Sequence, residues 1–370
     1  MTFLDSAAEL LAIQSTADRP DDLRRALEFT IDYVGPGFHV ERFESGGKPS
    51  ALLYPGTSRP EFRVIFNGHL DVVPAEPSQF VPRRDGDRLY ARGAQDMKIS
   101  ALSLATVFRE QALSLPYPIG LQLVTDEEVG GRHGTRHQVV IQRVRSQFVI
   151  IGEHSRLDLV ADSKGLLHAI VRATGRSGHG AYPWLGDNAL DKLVRTLGRL
   201  QDRYPAPAGP EWRTTVNVAR IDTPNRAVNQ IPAYGEASLD IRFTADDPSF
   251  YGRSIGELAR YLESFGEPGI DVIVEHVDGP HHADHDRPEV KLLREAAQAE
   301  GYAGEFLYKH GAGDGRFYSQ VGVEAVVFGV GGDGQHGPEE YAEISTIEPY
   351  QRALTRFLRS EVLGPVGDPA

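Results

Sequence analysis

The sequence has no cysteine among its 370 residues. This absence excludes disulfide bonds, thiol nucleophiles and zinc sites built from cysteine. Any transition metal bound by this chain must therefore be held by histidine and carboxylate side chains.

Basic charge and long apolar runs are also lacking. The chain has 39 Lys and Arg against 52 Asp and Glu, a net charge of −13, and this balance argues against nucleic acid or an anionic membrane as a partner. No apolar run approaches the length of a membrane span. The amino terminus lacks a basic region followed by an apolar one, so we expect no signal peptide. These features together predict a cytoplasmic protein.

The length favours two domains. Strands alternate with helices up to about residue 161, which predicts an α/β sheet with helices on both faces. Residues 162–279 instead predict a compact α+β module of four strands and two helices. The α/β pattern of the first part resumes from about residue 280. We therefore predict a discontinuous, doubly wound α/β domain, residues 1–161 and 280–370, with residues 162–279 inserted as a second domain. The tail after Leu363 is expected to fray.

One acidic stretch is central to the functional reading. The apolar run Leu121–Val124 reads as a buried strand, and the carboxylates Asp126, Glu127 and Glu128 follow it directly. Adjacent acids repel one another, so a fold that places them together needs a positive charge between them. The alternative is a solvated acidic turn.

Other strand ends carry similar side chains. His69 and Asp71 follow the predicted strand at 63–66, where an extended His-x-Asp places both side chains on one face. Asp71 could then orient the imidazole of His69 toward a metal, although a structural histidine is the simpler alternative. Glu153 and His336 follow two further apolar strands, and open α/β sheets place their sites at such carboxyl ends.

Asp96 lies in a loop that opens a predicted helix. A helix N-cap is one explanation for this residue. A carboxylate that bridges two metal ions is the other.

These segments resemble one family when they are taken together. The motifs are Gly-His69-Leu-Asp71-Val-Val-Pro, Arg-Gly-Ala-Gln-Asp96-Met-Lys, Thr-Asp-Glu127-Glu128-Val-Gly, Gly-Glu153 and the late His336. The chain resembles the co-catalytic zinc amidohydrolases and exopeptidases, which include acetylornithine deacetylase, succinyl-diaminopimelate desuccinylase, the glutamate-releasing carboxypeptidase and the aminoacylases. The match runs in order over nearly the whole chain. It implies a di-zinc catalytic domain and an inserted dimerisation or lid domain.

The resemblance also implies a metal-binding set. His69 and Glu153 would hold one zinc ion, Glu128 and His336 the other, and Asp96 would bridge the two. A site of nitrogen and oxygen ligands suits zinc or cobalt, and manganese less well.

The same resemblance implies catalytic roles for two further residues. Asp71 would orient His69, and Glu127 would be the general base that takes a proton from a metal-bridged water. The implied reaction is hydrolysis of the amide bond of an N-acyl amino acid or a small peptide. A dipeptidase or another exopeptidase with the same site is the first alternative, and a non-catalytic metal-binding relative is the second.

The inserted domain contains three further candidates. His179 lies in Ser177-Gly-His-Gly-Ala-Tyr-Pro, which resembles the family segment whose histidine reaches across a dimer to the oxyanion; an exposed loop histidine is the alternative. Asn229 and Arg242 lie in segments that resemble those binding the carboxylate of the substrate, and Arg242 could instead form an interstrand ion pair. The resemblance thus implies a homodimer that acts on a small-molecule substrate.

Some positions depart from the family pattern or carry weaker signals. Ala312 stands where desuccinylases carry a hydroxyl, His154 where many members have proline, and Ile99 where glycine is usual; these departures weaken assignment to the desuccinylases and not to the family. We interpret the His/Asp cluster at 281–286 as a polar linker.

Overall fold

The structure, a computed structural model, describes residues 2–364. Of the tail expected to fray, the residues from 365 onward lie outside the described part. The chain forms two compact units. The first runs from the amino terminus to Ala161, continues over His282–Leu307 and resumes at Gly313. The second contains Asp162–His281 and Tyr308–Ala312.

The helices and strands agree closely with the predicted order. The α-helices are α1 (Phe3–Leu11), α2 (Pro20–Val34), α3 (Ile99–Gln111), α4 (Ala189–Arg203), α5 (Ile255–Glu263), α6 (Pro288–Ala299), α7 (Gly315–Ser319) and α8 (Ile347–Leu358). Short helical turns of 3₁₀ or π type cover Pro77–Phe80, Ala94–Lys98, Glu127–Val129, His137–Ile141, Pro183–Leu185, Ile344–Thr346 and Glu361–Leu363. The strands are β1 (His39–Ser45), β2 (Lys48–Tyr54), β3 (Phe62–His69), β4 (Arg83–Asp85), β5 (Arg88–Tyr90), β6 (Ile119–Val124), β7 (Ser146–Ile151), β8 (Leu159–Ser163), β9 (Gly165–Thr174), β10 (Thr215–Asp222), β11 (Tyr234–Phe243), β12 (Ile270–Asp278), β13 (His281–His282), β14 (Phe306–Lys309), β15 (Glu324–Val327), β16 (Gly332–Asp333) and β17 (Tyr341–Glu343).

A large mixed sheet organises the first unit. Its strands include the path β1-β2-β6-β3-β7-β15-β8. The four central strands, β6, β3, β7 and β15, are parallel, whereas β2 joins β6 antiparallel. Every residue of β3 and β6 is buried, as parallel strands covered on both faces require. The carboxyl ends of these four strands meet at one edge of the sheet.

Two apolar cores lie on the two faces of this sheet. One includes residues of α1, α2, α3, α6 and α8. The other packs Val139 and Tyr318 against strand residues such as Leu52 and Ile65. The predicted α/β class, doubly wound about a large sheet, is confirmed.

The first unit also contains a small antiparallel sheet that the sequence did not predict. It follows the order β16-β17-β5-β4, and its strands are two or three residues long. The residues of β4 are all exposed, so these segments show neither an apolar run nor an alternation that would mark them as strands.

The second unit is built on an antiparallel sheet of four strands in the order β10-β11-β9-β12. Residues of β9 and β11 alternate between buried and half-buried, because one face packs on an apolar core with residues of α4 and α5. Asn188 caps α4, and a capping box at Ser254 begins α5. The predicted four-stranded, two-helix module is therefore present. Its role as a dimerisation or lid domain, and the role of the first unit as a di-zinc domain, stay predictions.

Two local expectations differ from the structure. Apolar residues at helical spacing over residues 3–17 predict one helix there, but α1 ends at Leu11. Buried Lys98 donates hydrogen bonds to the carbonyls of Leu10 and Ile13 at this point. The predicted polar linker at 281–286 begins with the short strand β13, and His281 is buried. Among the described residues, no helix combines the length and the apolarity needed to cross a membrane.

Candidate metal centre

Three of the predicted ligands lie where parallel strands of the large sheet end. His69 is the last residue of β3, Glu128 lies in the 3₁₀ turn after β6, and Glu153 follows β7 by two residues. Because these strands run side by side in the same direction, their ends carry the three side chains to one edge.

Asp96 reaches this edge from a π-type turn, Ala94–Lys98, that precedes α3. Its side chain is not an N-cap, since α3 begins only at Ile99, after Lys98. The carboxylate of buried Glu340 accepts hydrogen bonds from the backbone N–H groups of Gln95 (3.0 Å) and Asp96 (3.1 Å). Arg92 forms an ion pair with the same carboxylate. Glu340 thereby anchors the turn that presents Asp96, and the Asp96–Met97 peptide bond within it is cis.

The first possible metal-binding group is His69, Asp96 and Glu153. One ligand atom from each lies within 4.8 Å of the others, and all three side chains are buried. The His69 Nε2 atom is 2.9 Å from Asp96 Oδ1.

The second group is Asp96, Glu128 and His336, again with ligand atoms within 4.8 Å of one another. His336 Nε2 lies 3.2 Å from Glu128 Oε2 and 3.3 Å from Asp96 Oδ2. His336 adopts a left-handed backbone conformation with φ 61°, and its side chain is 47% exposed. Asp96 belongs to both groups, which is the arrangement that a bridging carboxylate requires.

Burial and neighbouring acids disfavour the charged form of two carboxylates at this edge. Burial, followed by the charge of Glu153, raises the pKa of Glu127 well above its ordinary value. Burial raises the pKa of Glu128 to about 7. Such shifts arise where acids are buried beside other acids, and a cation among them would reverse the effect.

The same acids also raise the pKa values of the two histidines, which favours the charged form of each imidazole. Burial would lower the pKa of His69, but its hydrogen bonds to Asp71 and Asp96 raise that pKa well above the ordinary value. The pKa of His336 is raised by its hydrogen bond to Asp96 and by the charge of Glu128. The whole edge thus favours bound positive charge.

Asp71 makes more contacts than its predicted role required. The His69 Nδ1 atom lies 3.0 Å from the backbone oxygen of Asp71 and 3.5 Å from its Oδ1 atom. The Asp71 carboxylate also accepts the backbone N–H groups of Glu127 (3.2 Å) and Glu128 (3.0 Å). It therefore ties the acidic turn after β6 to the histidine at the end of β3.

Asp126, the third acid of the turn, belongs to neither ligand group. Its Oδ2 atom accepts the backbone N–H of His133 at 2.7 Å, and its own backbone oxygen accepts the N–H of Gly131. Asp126 shapes the loop that follows the acidic turn.

A glycine leaves space beside two of the acids. A Cβ atom added to Gly313 would meet Glu153 Oε1 at 3.7 Å and Glu127 Oε1 at 3.9 Å. Any longer side chain at residue 313 would therefore extend into the space next to the predicted base.

The other three predicted residues lie in the second unit. His179 is exposed, forms a β-bridge with Gln230 and accepts the N–H of Ala181 at its Nδ1 atom, 3.1 Å away. Asn229 is also exposed, and its backbone oxygen accepts the N–H of Gly180.

Arg242 is engaged within its own strand. Its Nε atom lies 2.8 Å from Asp240 Oδ1, two residues away on β11. The alternative of an interstrand pair is therefore wrong in detail, because the acid partner is on the same strand.

Sequence reasoning missed several residues that support the site. They are Arg92, Gln335, Glu340 and Asp314. Gln335 donates a hydrogen bond to Asp96, and buried Asp314 accepts one from Thr135. Nothing in the local sequence distinguishes Glu340, which supports Asp96, from its exposed neighbour Glu339. Their roles depend on contacts between residues far apart in the chain.

The residues present fit a pair of divalent ions held by nitrogen and oxygen. Each group offers one imidazole and two carboxylates, and four of the five side chains are at most 8% exposed. Carboxylate and imidazole ligands of this kind suit zinc, cobalt or manganese.

Comparison with known proteins agrees with this geometry. Residues 65–360 match the model of "Peptidase family M20/M25/M40". The chain is 28% identical to a succinyl-diaminopimelate desuccinylase of Gluconobacter oxydans, over 95% of each chain. It is 29% identical to the enzyme of the same name from Azoarcus sp., over 96% of each chain.

Solved structures show the same fold. A tripeptidase from Staphylococcus aureus superposes with a TM-score of 0.76 at 18% identity, over 96% of this chain and 97% of the other. An M20 family metallo-carboxypeptidase from Sulfolobus solfataricus superposes with a TM-score of 0.73 at 17% identity, over 97% and 98%. The family resemblance seen in the sequence is confirmed: the chain belongs to peptidase family M20/M25/M40 and is a metal-dependent amidohydrolase.

Proposed function

We propose that this protein hydrolyses the amide bond of an N-acyl amino acid or small peptide with two zinc ions at the edge of the large sheet. One observation carries the proposal: two groups of three ligands share Asp96, and Glu127 lies beside them. His69 and Glu153 would complete one ion's site, and Glu128 and His336 the other's. Cobalt or manganese are possible substitutes.

The two ions, when bound, would lower the pKa of an attacking water and polarise the amide carbonyl. The chain's own residues do the remaining work. Asp71 and Glu340 hold the ligands through backbone and imidazole contacts. At other metal sites, loss of a residue that positions a ligand typically lowers metal affinity or activity by about 10–100-fold.

Glu127 is the residue we assign as general base. A carboxylate next to bound cations is ionised at neutral pH and can accept a proton from water. It can then pass that proton to the nitrogen that leaves when the amide bond breaks. Gly313 keeps the space beside the Glu127 carboxylate open for the reacting groups.

We assign three residues of the second unit to substrate binding and assembly. His179 would supply a hydrogen bond to the oxyanion across a homodimer, and Asn229 would contact the substrate. Arg242 would bind a substrate carboxylate, although Asp240 already neutralises its guanidinium. A dimer in solution, and a fall in kcat for His179→Ala, are the expected results.

A peptidase with the same metal centre is the second candidate. The solved structures that resemble this chain include proteins described as a tripeptidase and, in Saccharomyces cerevisiae, as a dipeptidase. The curated relatives instead are named as desuccinylases. The two activities share the chemistry described above and differ in what must be recognised at the amine side of the scissile bond.

A substrate panel tests the proposal. The zinc-loaded protein would be assayed with N-acetyl and N-succinyl amino acids and with dipeptides, before and after a chelator. We expect hydrolysis of at least one class, its loss on chelation, and its return with zinc or cobalt. Hydrolysis that resists removal of all metal would refute the proposal. Exclusive cleavage of dipeptides would establish the second candidate instead.

A further inference from the structure

A single buried arginine, Arg92, lies between the backbone of His336 and the carboxylate that supports Asp96. Arg92 follows β5 by two residues and is 3% exposed. Its Nη1 atom pairs with Glu340. Its Nη2 atom donates hydrogen bonds to the backbone oxygens of His336 (3.0 Å) and Gly337 (3.1 Å). The proposed function assigns no role to Arg92.

The contact with Glu340 links Arg92 to Asp96. The Glu340 carboxylate accepts the backbone N–H groups of Gln95 and Asp96, and Asp96 belongs to both ligand groups. Glu340 is 2% exposed, and a buried carboxylate is costly unless an opposite charge lies beside it. The guanidinium of Arg92 therefore stabilises the arrangement in which Glu340 holds the turn that presents Asp96.

His336 is less enclosed than His69, the other histidine ligand. His69 is the last residue of a buried strand, and its side chain is 1% exposed. His336 lies in a loop after β16, and its side chain is 47% exposed. Its φ of 61° is a left-handed conformation, which is unfavourable for residues other than glycine and persists where neighbouring contacts fix it. The position of the His336 imidazole thus depends on how its backbone is held.

Hydrogen bonds to the backbone hold this loop. The N–H of Gly337 donates to the oxygen of Gly334 at 2.8 Å. Gln79 Nε2 donates to the oxygen of Gly337 at 3.0 Å, and the backbone oxygen of Gln79 accepts the N–H of Arg92 at 2.8 Å. Among these donors, Arg92 is the one that also pairs with the support of Asp96.

An arginine can make both contacts at once because its guanidinium is planar and directs its N–H groups along fixed directions. A lysine ammonium is instead a compact charge on a flexible stem. Lysine in place of Arg92 could keep a positive charge beside Glu340, but it would not hold the two backbone oxygens in the same way. The substitution Arg92→Lys therefore separates the support of His336 from the support of Asp96.

We propose that Arg92 is a positioning residue that sets the affinity for the ion held by Asp96, Glu128 and His336. The inference rests on the proposed function, which places two ions at this edge of the sheet. Two ligands of this ion depend on Arg92: Asp96 through Glu340, and His336 through its backbone oxygen. Of these two, only Asp96 also belongs to the other ligand group. Loss of the contacts to the backbone oxygens should therefore weaken the binding of one ion more than that of the other.

A zinc titration of the metal-free protein tests this proposal without catalysis. Calorimetry in the presence of a competing chelator should resolve two binding steps for the wild type. Arg92→Lys should weaken the binding of the ion at His336 by about 10–100-fold, the usual effect of losing a residue that orients a metal ligand. The affinity for the other ion should remain nearly unchanged.

The same substitution in a second background identifies which ion is affected. His336→Ala removes a ligand of one ion and should bind a single zinc ion. In this background Arg92→Lys should not lower the zinc affinity further, because the imidazole that Arg92 positions is already absent. A weakening of the remaining ion by about tenfold or more, the size expected at His336, would show that Arg92 acts on the whole centre and would overturn the proposal.

Arg63→Lys is the matched control for damage to a buried ion pair. Arg63 is buried and lies 2.8 Å from Glu289. It stands near the start of β3, and His69 ends that strand, about 20 Å away at the rise of a β-strand. This control should leave both zinc affinities unchanged. Equal losses of zinc affinity in Arg63→Lys and Arg92→Lys would show a general loss of stability and would contradict the proposal.

Gln79→Ala replaces Arg92→Lys if that variant does not fold. It removes one donor to the oxygen of Gly337 and keeps the pair of Arg92 with Glu340, so it should weaken the same ion to a smaller extent. Two bound ions in the wild type, with the same two affinities in the variant, would overturn the inference and leave the proposed function intact. Fewer than two ions in the wild type would refute the proposed two-ion centre, and the inference with it.

Discussion

The two units of this protein each contain a cluster of like charges, and the clusters have opposite sign. At the edge of the large sheet, Glu127 and Glu128 lie among other acids, and burial raises their pKa values. In the second unit, Lys164 lies beside Arg213, and its pKa is lowered. In both places folding has removed charged groups from water without giving them a full set of partners.

Buried ion pairs elsewhere in the first unit show the contrast. Arg63 and Glu289 are 2.8 Å apart, with side chains 10% and 8% exposed. Each neutralises the other, so neither calls for a ligand. The comparison teaches that the informative feature is buried charge without an opposite charge beside it, and that its sign indicates the sign of the charge that would compensate it.

Removal of metal should have the largest effect on the acidic cluster. A chelator should abolish hydrolysis, and zinc or cobalt should restore it. The metal-free protein should also lose stability as the pH rises from about 5 to 7. The folded-state pKa of Glu128 is about 7, above the ordinary 4.5, so the folded state binds more protons than the unfolded state in this window. Melting curves of the metal-free and zinc-loaded protein measure the effect; a pH-independent difference between them would argue against it.

Loss of the general base should have the second-largest effect. Glu127→Gln keeps the shape of the side chain but cannot accept the proton, so we expect kcat to fall about 10²–10⁴-fold. Glu348→Gln, at an exposed residue on α8, is the control and should retain full activity. Steady-state kinetics on the best substrate of the panel compare the two. A loss of less than about tenfold in Glu127→Gln would exclude Glu127 as the base.

Removing one member of a buried ion pair tests whether a buried charge that has partners contributes to stability. Arg63→Met removes one of the two arginines that pair with buried Glu289, and loss of a buried partner typically costs about 3–5 kcal/mol of stability. Arg287, 2.8 Å from the same glutamate, should reduce this cost. Urea unfolding measures the difference, and kcat of the folded fraction should not change. A stability equal to that of the wild type would show that the Arg63–Glu289 pair does not stabilise the folded protein.

The smallest effect is expected at Lys164. Since Lys164 forms no ion pair within residues 2–364, Lys164→Met should leave stability unchanged or raise the melting temperature by about 1–3 °C. The lowered pKa sets the sign: the folded state binds fewer protons than the unfolded state, so the contribution of Lys164 to stability is less favourable at pH 7 than at higher pH. Thermal melts of wild type and variant at pH 7 and 9 should converge as the pH rises. A large loss of stability at pH 7 would show that the lysine is already satisfied in the folded protein.

The sequence predicted those parts of the fold that have a strong local signal. Apolar runs such as Leu121–Val124 identify the central strands. Burial on both faces of a parallel sheet requires such runs, so the fold class followed from them. The short strands β4, β5, β16 and β17 have no such pattern and could not be predicted.

The same division applies to the candidate site. His69, Glu128 and Glu153 stand next to strands that can be read from the sequence, so their meeting at one edge could be expected. The support that Glu340 gives to Asp96 links residues more than two hundred positions apart. Lys164 and Trp212, whose ring centre lies 5.7 Å from the lysine Nζ atom, come from separate segments of the chain. Only the folded chain shows that one buried charge has a partner and another does not.

The number of metal ions per chain tests the central claim most directly. Elemental analysis after zinc loading and desalting would be carried out on the wild type, on His336→Ala and on Asp96→Ala. The two ligand groups share only Asp96, so we predict two ions in the wild type, one in His336→Ala and none retained in Asp96→Ala. A wild type that holds no zinc, or a His336→Ala variant that still holds two ions, would contradict the account.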